Sequence, residues 1–427
     1  MQRLQSLPNE YPALAQLSII GNSWEGKPIY LLNLTNHASD AVKPQLILIS
    51  GLRANAFAPV ELSLRFAEQL LGGYGTITEN SWVLDHFEVH LIVMANPDGR
   101  AKAEAQALAD NEINWQNNTH NSCTSQEIGV RLNNNFTFNW HASEVGPCDP
   151  AFAGSTAGSE PETQAIMTYL AGFAEQSERL LLLNLDSYKS EILSPYLSDP
   201  LAENPYIDDL YTLAEKIAYD TLSTPIRQGD LNHPPSYGTL VDFAYGELAI
   251  PSLVFSMGDP SAGEYASSCW YFDEYLVEKN ITALVRALKV SADPYHQPYG
   301  PEIKLVSTQQ NINSLYVEGV VDDFTTWYKG ADEYSQVKSA WFSIDRSPWD
   351  SQATLVPISN LVQDEVHGYK SQFSVEIDIS LLKPGNHLIF FQAWDSEANG
   401  NPSNPGLVTA INFFISYQYY LPVIRAR

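Results

Sequence analysis

Basic residues are scarce in this sequence, and long apolar runs are missing. Its 427 residues contain 23 Lys and Arg against 50 Asp and Glu, a formal net charge of −27. Because binding to phosphate backbones needs clustered Lys and Arg, nucleic acid and anionic membrane surfaces are excluded as partners. No apolar run approaches the length of a membrane span, so membrane insertion is not expected. The charge itself mainly indicates a soluble protein.

Cysteine is also rare, and the N-terminal residues contain no secretion signal. Residues 1–18 have no apolar signal-peptide core, although a mature secreted chain would share this property. Cys123 and Cys148 can close a small loop with a bond that stabilises the fold by about 3 kcal/mol, or they can remain free buried thiols. Composition alone leaves both states open, and Cys269 is the odd residue in both.

The length and the hydrophobic content are sufficient for two domains. Hydrophobic residues make up 44% of the chain, enough for a substantial core. Strands that alternate with helices over residues 1–293 predict an α/β domain with a mixed sheet. Residues 294–301, rich in Pro, Tyr and Gly, are predicted to be a linker. Short strands separated by turns predict an Ig-like β-sandwich over residues 302–416, and residues 417–427 are expected to form a tail.

A strand, a loop and a helix between residues 46 and 71 form the stretch around which the first domain is expected to be organised. Leu46–Ile49 is an apolar run of strand-forming residues, and the pattern from Val60 onward is that of an amphipathic helix. The loop between them follows the carboxyl end of a strand, where α/β folds present functional groups. It contains Arg53 and Ala56, which are unusual residues for an active site.

Further elements of the first domain are predicted from periodicity and capping signals. Expected strands cover residues 86–94, 180–185 and 251–257, and expected helices follow the N-cap Ser159 and cover residues 210–222 and 271–290. Residues 101–150 lose regular periodicity and are expected to form a long ordered loop region.

Six short strings, taken in order, resemble the motifs of the zinc metallocarboxypeptidases of the carboxypeptidase A type. They are Asn96-Pro97-Asp98-Gly99, Leu132-Asn133-Asn134-Asn135-Phe136, Ser159-Glu160-Pro161-Glu162-Thr163, Asp186-Ser187-Tyr188, Asp242-Phe243-Ala244-Tyr245 and Phe255-Ser256-Met257. Each string alone is weak, but the ordered set over residues 1–293 is specific. The resemblance implies a carboxypeptidase-like mixed β-sheet flanked by helices.

Within this family, the sequence resembles secreted bacterial members that carry an appended β-sandwich. The resemblance therefore implies a protein that acts outside the bacterial cell or on its surface. In the family a disulfide brackets the segment that corresponds to residues 132–136, and this favours a bond between Cys123 and Cys148 here.

The resemblance also implies a catalytic zinc ion, held by a His and a Glu of one loop and by a later His, with one open position for water. Carried over residue by residue, these three positions fall on Arg53, Ala56 and Asp186. A guanidinium cannot bind a cation, Ala has no donor atom, and one carboxylate does not hold zinc. No zinc and no other cofactor is therefore expected.

The positions that carry the family's other catalytic groups also hold different residues. The family's general base falls on Ser256, and its mobile tyrosine falls on Pro234. The arginine that stabilises the oxyanion falls on Gln116, and the arginine that binds the substrate carboxylate falls on Asn134. A serine hydroxyl cannot accept a proton from water near neutral pH. No catalytic residue is therefore expected to be intact.

Four residues remain as candidates for binding a ligand: Asn133, Asn134, Tyr188 and Tyr237. We interpret the pattern as a catalytically inactive homologue, a pseudoenzyme that binds a peptide, a protein or a glycan. Two alternatives stay open. One is an active metallocarboxypeptidase that releases C-terminal residues through an atypical metal site, and the other is a structural or adhesion module.

Arg53 and Asp186 replace two groups that would meet at one metal ion, so their side chains are expected to point at the same space. A buried guanidinium–carboxylate pair is therefore predicted in place of the zinc. In the alternative, Arg53 extends to solvent and Asp186 pairs with a backbone amide.

Overall fold

A computed structural model describes most of the chain: residues 1–39, 41–110, 114–141, 145–174, 179–187, 189–196, 207–219, 221–227, 236–259, 261, 268–323, 336–365, 369–396 and 403–416. The predictions for Tyr188, for Pro234 and for the tail at residues 417–427 lie outside these residues. The structure divides into two compact units, of which the first ends at Pro298 and the second begins at Tyr299.

An eight-stranded mixed sheet forms the centre of the first unit, with the strand order β1-β2-β4-β3-β5-β8-β6-β7. The strands are β1 (Ala15–Asn22), β2 (Pro28–Leu34), β3 (Gln45–Ser50), β4 (Glu88–Ile92), β5 (Leu180–Ser187), β6 (Glu191–Leu193), β7 (Thr224–Ile226) and β8 (Ser252–Met257). The neighbours β4, β3, β5 and β8 pair in parallel, whereas β1, β2 and β6 join the sheet in antiparallel pairs. The predicted mixed sheet is confirmed.

The helices of the first unit are α1 (Gln2–Glu10), α2 (Phe57–Gly73), α3 (Thr78–His86), α4 (Pro97–Asp110), α5 (Pro161–Ala171), α6 (Ile207–Ala218), α7 (Leu240–Gly246), α8 (Cys269–Tyr271) and α9 (Val277–Val290). A π-helical turn, Phe272–Leu276, joins α8 to α9. Helix α2 buries Leu62, Phe66 and Leu70 completely. Each such side chain stabilises the fold by roughly 1.5 to 3 kcal/mol, because it is removed from water. Among the described residues, no helix is both long and apolar enough to cross a membrane.

Between residues 86 and 110 the structure shortens one predicted element and contradicts another. The strand expected at residues 86–94 is present as β4, but it is shorter, because α3 ends at His86 and β4 covers Glu88–Ile92. The expected loop region begins instead with α4, which starts at Pro97, a residue whose fixed φ suits the first helical position. The Ala-rich sequence of α4 has a high intrinsic helix propensity but little apolar periodicity, so the spacing of its apolar residues does not indicate a helix.

The predicted N-cap of α5 was also wrong. Helix α5 begins after Glu160, which makes no side-chain capping hydrogen bond. The hydroxyl of Ser159 instead donates a hydrogen bond to Glu160 Oε1 at 2.7 Å. The side chain of Asn135 donates to Ser159 Oγ at 3.1 Å, so Ser159 joins α5 to the segment around Asn135.

The second unit contains two antiparallel four-stranded sheets that form a β-sandwich. One sheet has the order β13-β14-β10-β9 and the other β12-β11-β15-β16. The strands are β9 (Glu302–Gln310), β10 (Ser314–Asp322), β11 (Val337–Ile344), β12 (Val356–Pro357), β13 (Leu361–Gln363), β14 (Lys370–Asp378), β15 (Gly385–Asp395) and β16 (Thr409–Ile415). In β10 every second residue is buried, as expected for a strand with one face on a core. The predicted sandwich is confirmed.

Candidate functional site

A cavity of about 350 Å³ opens at the carboxyl ends of β3, β5 and β8. Strand β3 lies between β4, the next strand along the chain, and β5, which follows β4, so the direction of strand addition reverses at β3. Ligands of α/β proteins usually bind in the crevice at such a switch point. The cavity brings together most of the site positions predicted from the sequence, namely Arg53, Gln116, Asn133, Asn134, Asp186 and Ser256.

The loop that carries Arg53 is held by a glycine and by a buried asparagine. Gly51 ends β3 with a φ of +71°, and an added Cβ would lie 3.2 Å from Val60 Cγ2. Only glycine meets both conditions without strain. The side-chain amide of Asn96 donates to the carbonyl of Leu52 at 3.2 Å. The start of the loop is therefore fixed, and Arg53 leaves it towards β5.

Arg53 and Asp186 form a two-point ion pair. Nε of Arg53 donates to Asp186 Oδ1 at 3.1 Å, and its Nη2 donates to Oδ2 at 2.5 Å. Nη2 also donates to the carbonyl oxygen of Ser187. The backbone N–H of Ser187 donates to Asp186 Oδ1 at 2.9 Å, so this carboxylate accepts hydrogen bonds on both oxygens. Arginine suits this arrangement because its planar fork matches both carboxylate oxygens.

The ion pair was predicted to be buried, and the structure corrects this point. The side chains of Arg53 and Asp186 are 32% and 22% exposed, so the pair is half-buried at the edge of the cavity. Ala56, in the same loop as Arg53, is buried and directly precedes α2, and its backbone N–H donates to the carbonyl of Arg53 at 3.1 Å. Its methyl group offers no atom to a ligand that requires hydrogen bonds.

Ser256 lies beside Asp186, because β5 and β8 pair in parallel with these two residues opposite each other. Its hydroxyl is buried and accepts a hydrogen bond from the backbone N–H of Lys189 at 3.2 Å. Ser256 therefore fastens the segment that follows β5 to the end of β8. A hydroxyl in this role holds the backbone and does not supply a base.

Two asparagines of the cavity lining, Asn133 and Asn134, form hydrogen bonds with neighbouring segments of the chain. Asn133 Oδ1 accepts hydrogen bonds from Leu240 N at 3.2 Å and from Asn184 Nδ2 at 3.5 Å. Asn134 Nδ2 donates to Ser236 Oγ at 3.0 Å and to the carbonyl of Tyr237 at 2.9 Å. Both amides therefore have structural partners.

Tyr237 and Gln116 take different positions around the cavity. Tyr237 lies outside the cavity lining, and its ring packs edge-on against His141 with a centroid distance of 4.2 Å. Gln116 lines the cavity, and its carbonyl accepts a hydrogen bond from Ala54 N at 2.9 Å.

Three charged residues of the cavity lining were not singled out from the sequence: Arg131, Lys189 and Glu191. With Arg53 and Asp186 they give the described part of the lining three basic and two acidic side chains, a net charge of +1 in a chain of net charge −27. A signal for two of them was available. Arg131 directly precedes the motif that begins at Leu132, Lys189 directly follows the motif 186–188, and basic residues are rare elsewhere.

The described residues offer a poor donor set for a metal ion. In the cavity lining, Asp186 and Glu191 are the side chains with carboxylate oxygens, and Arg53 occupies both oxygens of Asp186. Within the part of the chain that the structure describes, no three His, Cys, Asp or Glu side chains are grouped to hold a metal ion.

Cys123 and Cys148 form a disulfide, and Cys269 is an exposed free thiol. The bond encloses the segment that includes Arg131, Asn133 and Asn134, and therefore closes the loop that forms one wall of the cavity.

Asp242, a retained motif residue, is completely buried in α7. Its Oδ1 accepts a hydrogen bond from the backbone N–H of Tyr196 at 2.7 Å, and Thr239 caps α7 by accepting from Asp242 N at 3.2 Å. Burial raises the pKa of Asp242 to about 7, although the hydrogen bonds from Tyr196 and Thr239 act in the opposite direction. This carboxyl therefore holds the chain near Tyr196 and does not line the cavity.

We expect the Arg53→Met substitution to lower the free energy of unfolding by about 2 kcal/mol. Loss of one partner from a fully buried pair costs roughly 3 to 5 kcal/mol, and loss from an exposed pair about 0 to 1 kcal/mol, so a half-buried pair falls between them. Thermal unfolding of Arg53→Met, Asp186→Asn and the double variant measures the coupling. Asp208→Asn, which breaks the exposed pair with Arg227, is the control. Strictly additive losses would show that the two side chains do not interact in solution.

Comparison with known proteins finds one family model and several curated relatives that match the first unit. A sequence model of the family described as zinc carboxypeptidase matches residues 1–278. Human carboxypeptidase A1 is 24% identical over 262 residues, which cover 60% of this chain and 60% of that protein. The inactive metallocarboxypeptidase ECM14 of Saccharomyces cerevisiae is 24% identical over 305 residues, covering 65% of this chain and 70% of that protein. The match to the human protein thus spans about three fifths of its length.

Solved structures share the fold of the first unit. Carboxypeptidase A from Helicoverpa armigera superposes with a TM-score of 0.55 at 24% identity, covering 68% of this chain and 70% of that chain. Bovine thrombin-activatable fibrinolysis inhibitor, in complex with tick carboxypeptidase inhibitor, superposes with a TM-score of 0.56 at 19% identity, covering 68% and 94%. At these identities the similarity shows a common fold.

Proposed function

The chain belongs to the zinc carboxypeptidase family, and we propose that it is a catalytically inactive member that binds a ligand in the cavity at the end of β3, β5 and β8. The observation that carries this proposal is the ion pair between Arg53 and Asp186. The family resemblance assigns zinc ligands to these two positions, and here one side chain is a cation that uses both oxygens of the other. The residues at the expected metal position therefore do not fit a zinc ion.

The surrounding residues support the same proposal. The family position of the general base holds Ser256, whose hydroxyl accepts the backbone N–H of Lys189. The family position of the carboxylate-binding arginine holds Asn134, whose side-chain amide donates hydrogen bonds to Ser236 and to the carbonyl of Tyr237. Relatives with and without activity exist, because the matches include both carboxypeptidase A1 and an inactive metallocarboxypeptidase. The residues of the cavity favour the inactive class for this chain.

The ligand is proposed to be a peptide, a protein or a glycan outside the cell, as suits a family member with a disulfide and a second, β-sandwich unit. Bacterial origin and secretion are part of this proposal.

Two measurements on the purified chain test the loss of catalysis. After incubation with zinc and removal of excess metal, the chain is expected to retain far less than one zinc ion, and mass spectrometry is expected to detect no loss of C-terminal residues from peptides. The matched variant carries Arg53→His, Ala56→Glu and Asp186→His, which restore the ligand types of a catalytic zinc site. It is expected to retain zinc. One tightly bound zinc ion in the unsubstituted chain, with release of C-terminal residues, would overturn the proposal.

A further inference from the structure

We propose that Arg131 and Lys189 make the cavity a binding site for an oxyanion, so that its ligand carries a carboxylate, phosphate or sulfate group there. This inference deepens the proposed function and rests on it, because it names the chemistry of a ligand in the same cavity. It differs from a metal-centred site, because the groups that face the ligand are cations. Arg131 and Lys189 both line the cavity with Arg53.

Arg131 carries the strongest part of the argument. Its Nε is buried, and it makes no hydrogen bond to any group in the described part of the chain. A buried charged donor without an acceptor is unfavourable, because it has lost water and gained no partner. Burial lowers the pKa of Arg131, and the nearby positive charge of Arg53 lowers it further. An oxyanion in the cavity would supply the acceptor and reduce the repulsion between the two guanidinium groups.

Asp149 does not remove the need for such a partner. The negative charge of Asp149 raises the pKa of Arg131, whereas the positive charge of Arg53 lowers it. However, Asp149 Oδ1 accepts a hydrogen bond from the backbone N–H of Ala151 at 2.7 Å. Asp149 makes no hydrogen bond with Nε of Arg131, which has no partner among the described residues. The carboxylate therefore contributes at a distance and leaves Nε of Arg131 unsatisfied.

Lys189 adds a second cation on the same cavity. Its backbone N–H is held by Ser256 at the end of β8, so its position is fixed relative to the sheet. Its side chain is exposed and lines the cavity, and it forms no ion pair with another described residue. Arg53 is already neutralised by Asp186, so among the described lining residues Arg131 and Lys189 are the cations that remain available to a ligand. Oxyanions are the ligands that such groups bind most strongly, through charge-assisted hydrogen bonds.

The net charge of the chain makes this cavity unusual. In a chain with 50 acidic and 23 basic residues, most surfaces repel an anion, whereas the lining residues that the structure describes carry a net charge of +1. The low dielectric of a cavity strengthens the attraction inside it. Small oxyanions should therefore bind here in preference to the rest of the surface.

The full chain can be titrated with sodium phosphate, sodium sulfate and sodium acetate in separate series, with sodium chloride added to keep the ionic strength constant. At least one of the three anions is expected to raise the melting temperature saturably, and the most effective one identifies the type of group. The Arg131→Gln variant is expected to bind that anion at least about tenfold more weakly, because a charge-assisted hydrogen bond is lost. Lys189→Gln is expected to weaken binding as well, and Lys304→Gln, which removes an exposed lysine of β9 in the second unit, is the matched control.

The outcomes separate the two proposals. If no anion raises the melting temperature above the chloride series, or if Arg131→Gln and Lys189→Gln both respond as the unsubstituted chain does, the oxyanion site is overturned. The absence of catalysis would then still stand. Tightly bound zinc with release of C-terminal residues would overturn the proposed function, whatever the anion series shows. Since Arg131 is an unsatisfied donor, Arg131→Gln should fold, and Lys189→Gln provides the test at an exposed position.

Discussion

As the pH rises from about 4 to about 8, the free energy of unfolding of the Asp242→Asn variant is expected to increase by about 4 kcal/mol relative to that of the unsubstituted protein. Burial raises the pKa of Asp242 from its ordinary 3.8 to about 7 in the folded state. The folded protein therefore holds this proton over a pH range in which the unfolded chain releases it. The stabilisation is complete below the unfolded pKa and is lost as the pH rises through the folded pKa, at about 1.4 kcal/mol for each pH unit between them.

The comparison with the variant is needed because other buried groups titrate in the same range. Burial lowers the pKa of His90 to about 4, so its contribution to stability has the opposite sign and is lost as the pH falls below 6.5. Burial also raises the pKa of Glu162. Both effects cancel when the unfolding curves of the variant and the unsubstituted protein are subtracted at each pH.

Asparagine is a close replacement at this position. Its carbonyl oxygen can accept the hydrogen bond that Asp242 Oδ1 receives from Tyr196, and Oδ2 has no hydrogen-bond partner among the described residues. Denaturant unfolding at a series of pH values measures the difference. Parallel stability curves for the two proteins would show that Asp242 ionises in the folded state at its ordinary pKa.

The second large effect is expected from the disulfide. Replacement of both Cys123 and Cys148 by serine should lower the free energy of unfolding by about 3 kcal/mol, because the bond closes a loop with a sequence separation of 25 residues and so restricts the unfolded chain. The enclosed loop includes Arg131, so oxyanion binding should weaken in the same variant.

Thermal unfolding with and without a reducing agent measures this effect. The reduced protein should unfold at about the temperature of the double variant, and the double variant should not respond to the reducing agent. Cys269→Ser is the control, since this thiol is exposed and outside the bond. A fully reduced protein that unfolds at the same temperature as the oxidised one would contradict the prediction.

Prediction from the sequence succeeded where the signal was local and regular. The apolar run of β3 and the amphipathic pattern of α2 were both found, because burial imposes a period of 2 or 3.6 residues on the sequence. It failed for α4, whose helix depends on intrinsic propensity and on Pro97. It also failed for the N-cap of α5, because Asn135, distant in sequence, engages the hydroxyl of Ser159.

For the cavity, too, residue types could be predicted from the sequence, whereas the exposure of the side chains could not. Ordered motifs indicated the family, and the residue types at positions 53 and 186 were enough to predict an ion pair, because a cation and an anion expected at one point attract each other. The sequence did not indicate that this pair would be half-buried, since exposure depends on the whole surface around it.

The sequence by itself determined the mixed sheet and the β-sandwich, because these depend on residue type and order. The tertiary structure alone decided that Arg131 and Lys189 share a cavity with Arg53, and that Asp242 lies outside it in a completely buried place. The reason is physical: charge and pKa depend on distance and on exclusion of water, and both are set by parts of the chain that are far apart in sequence.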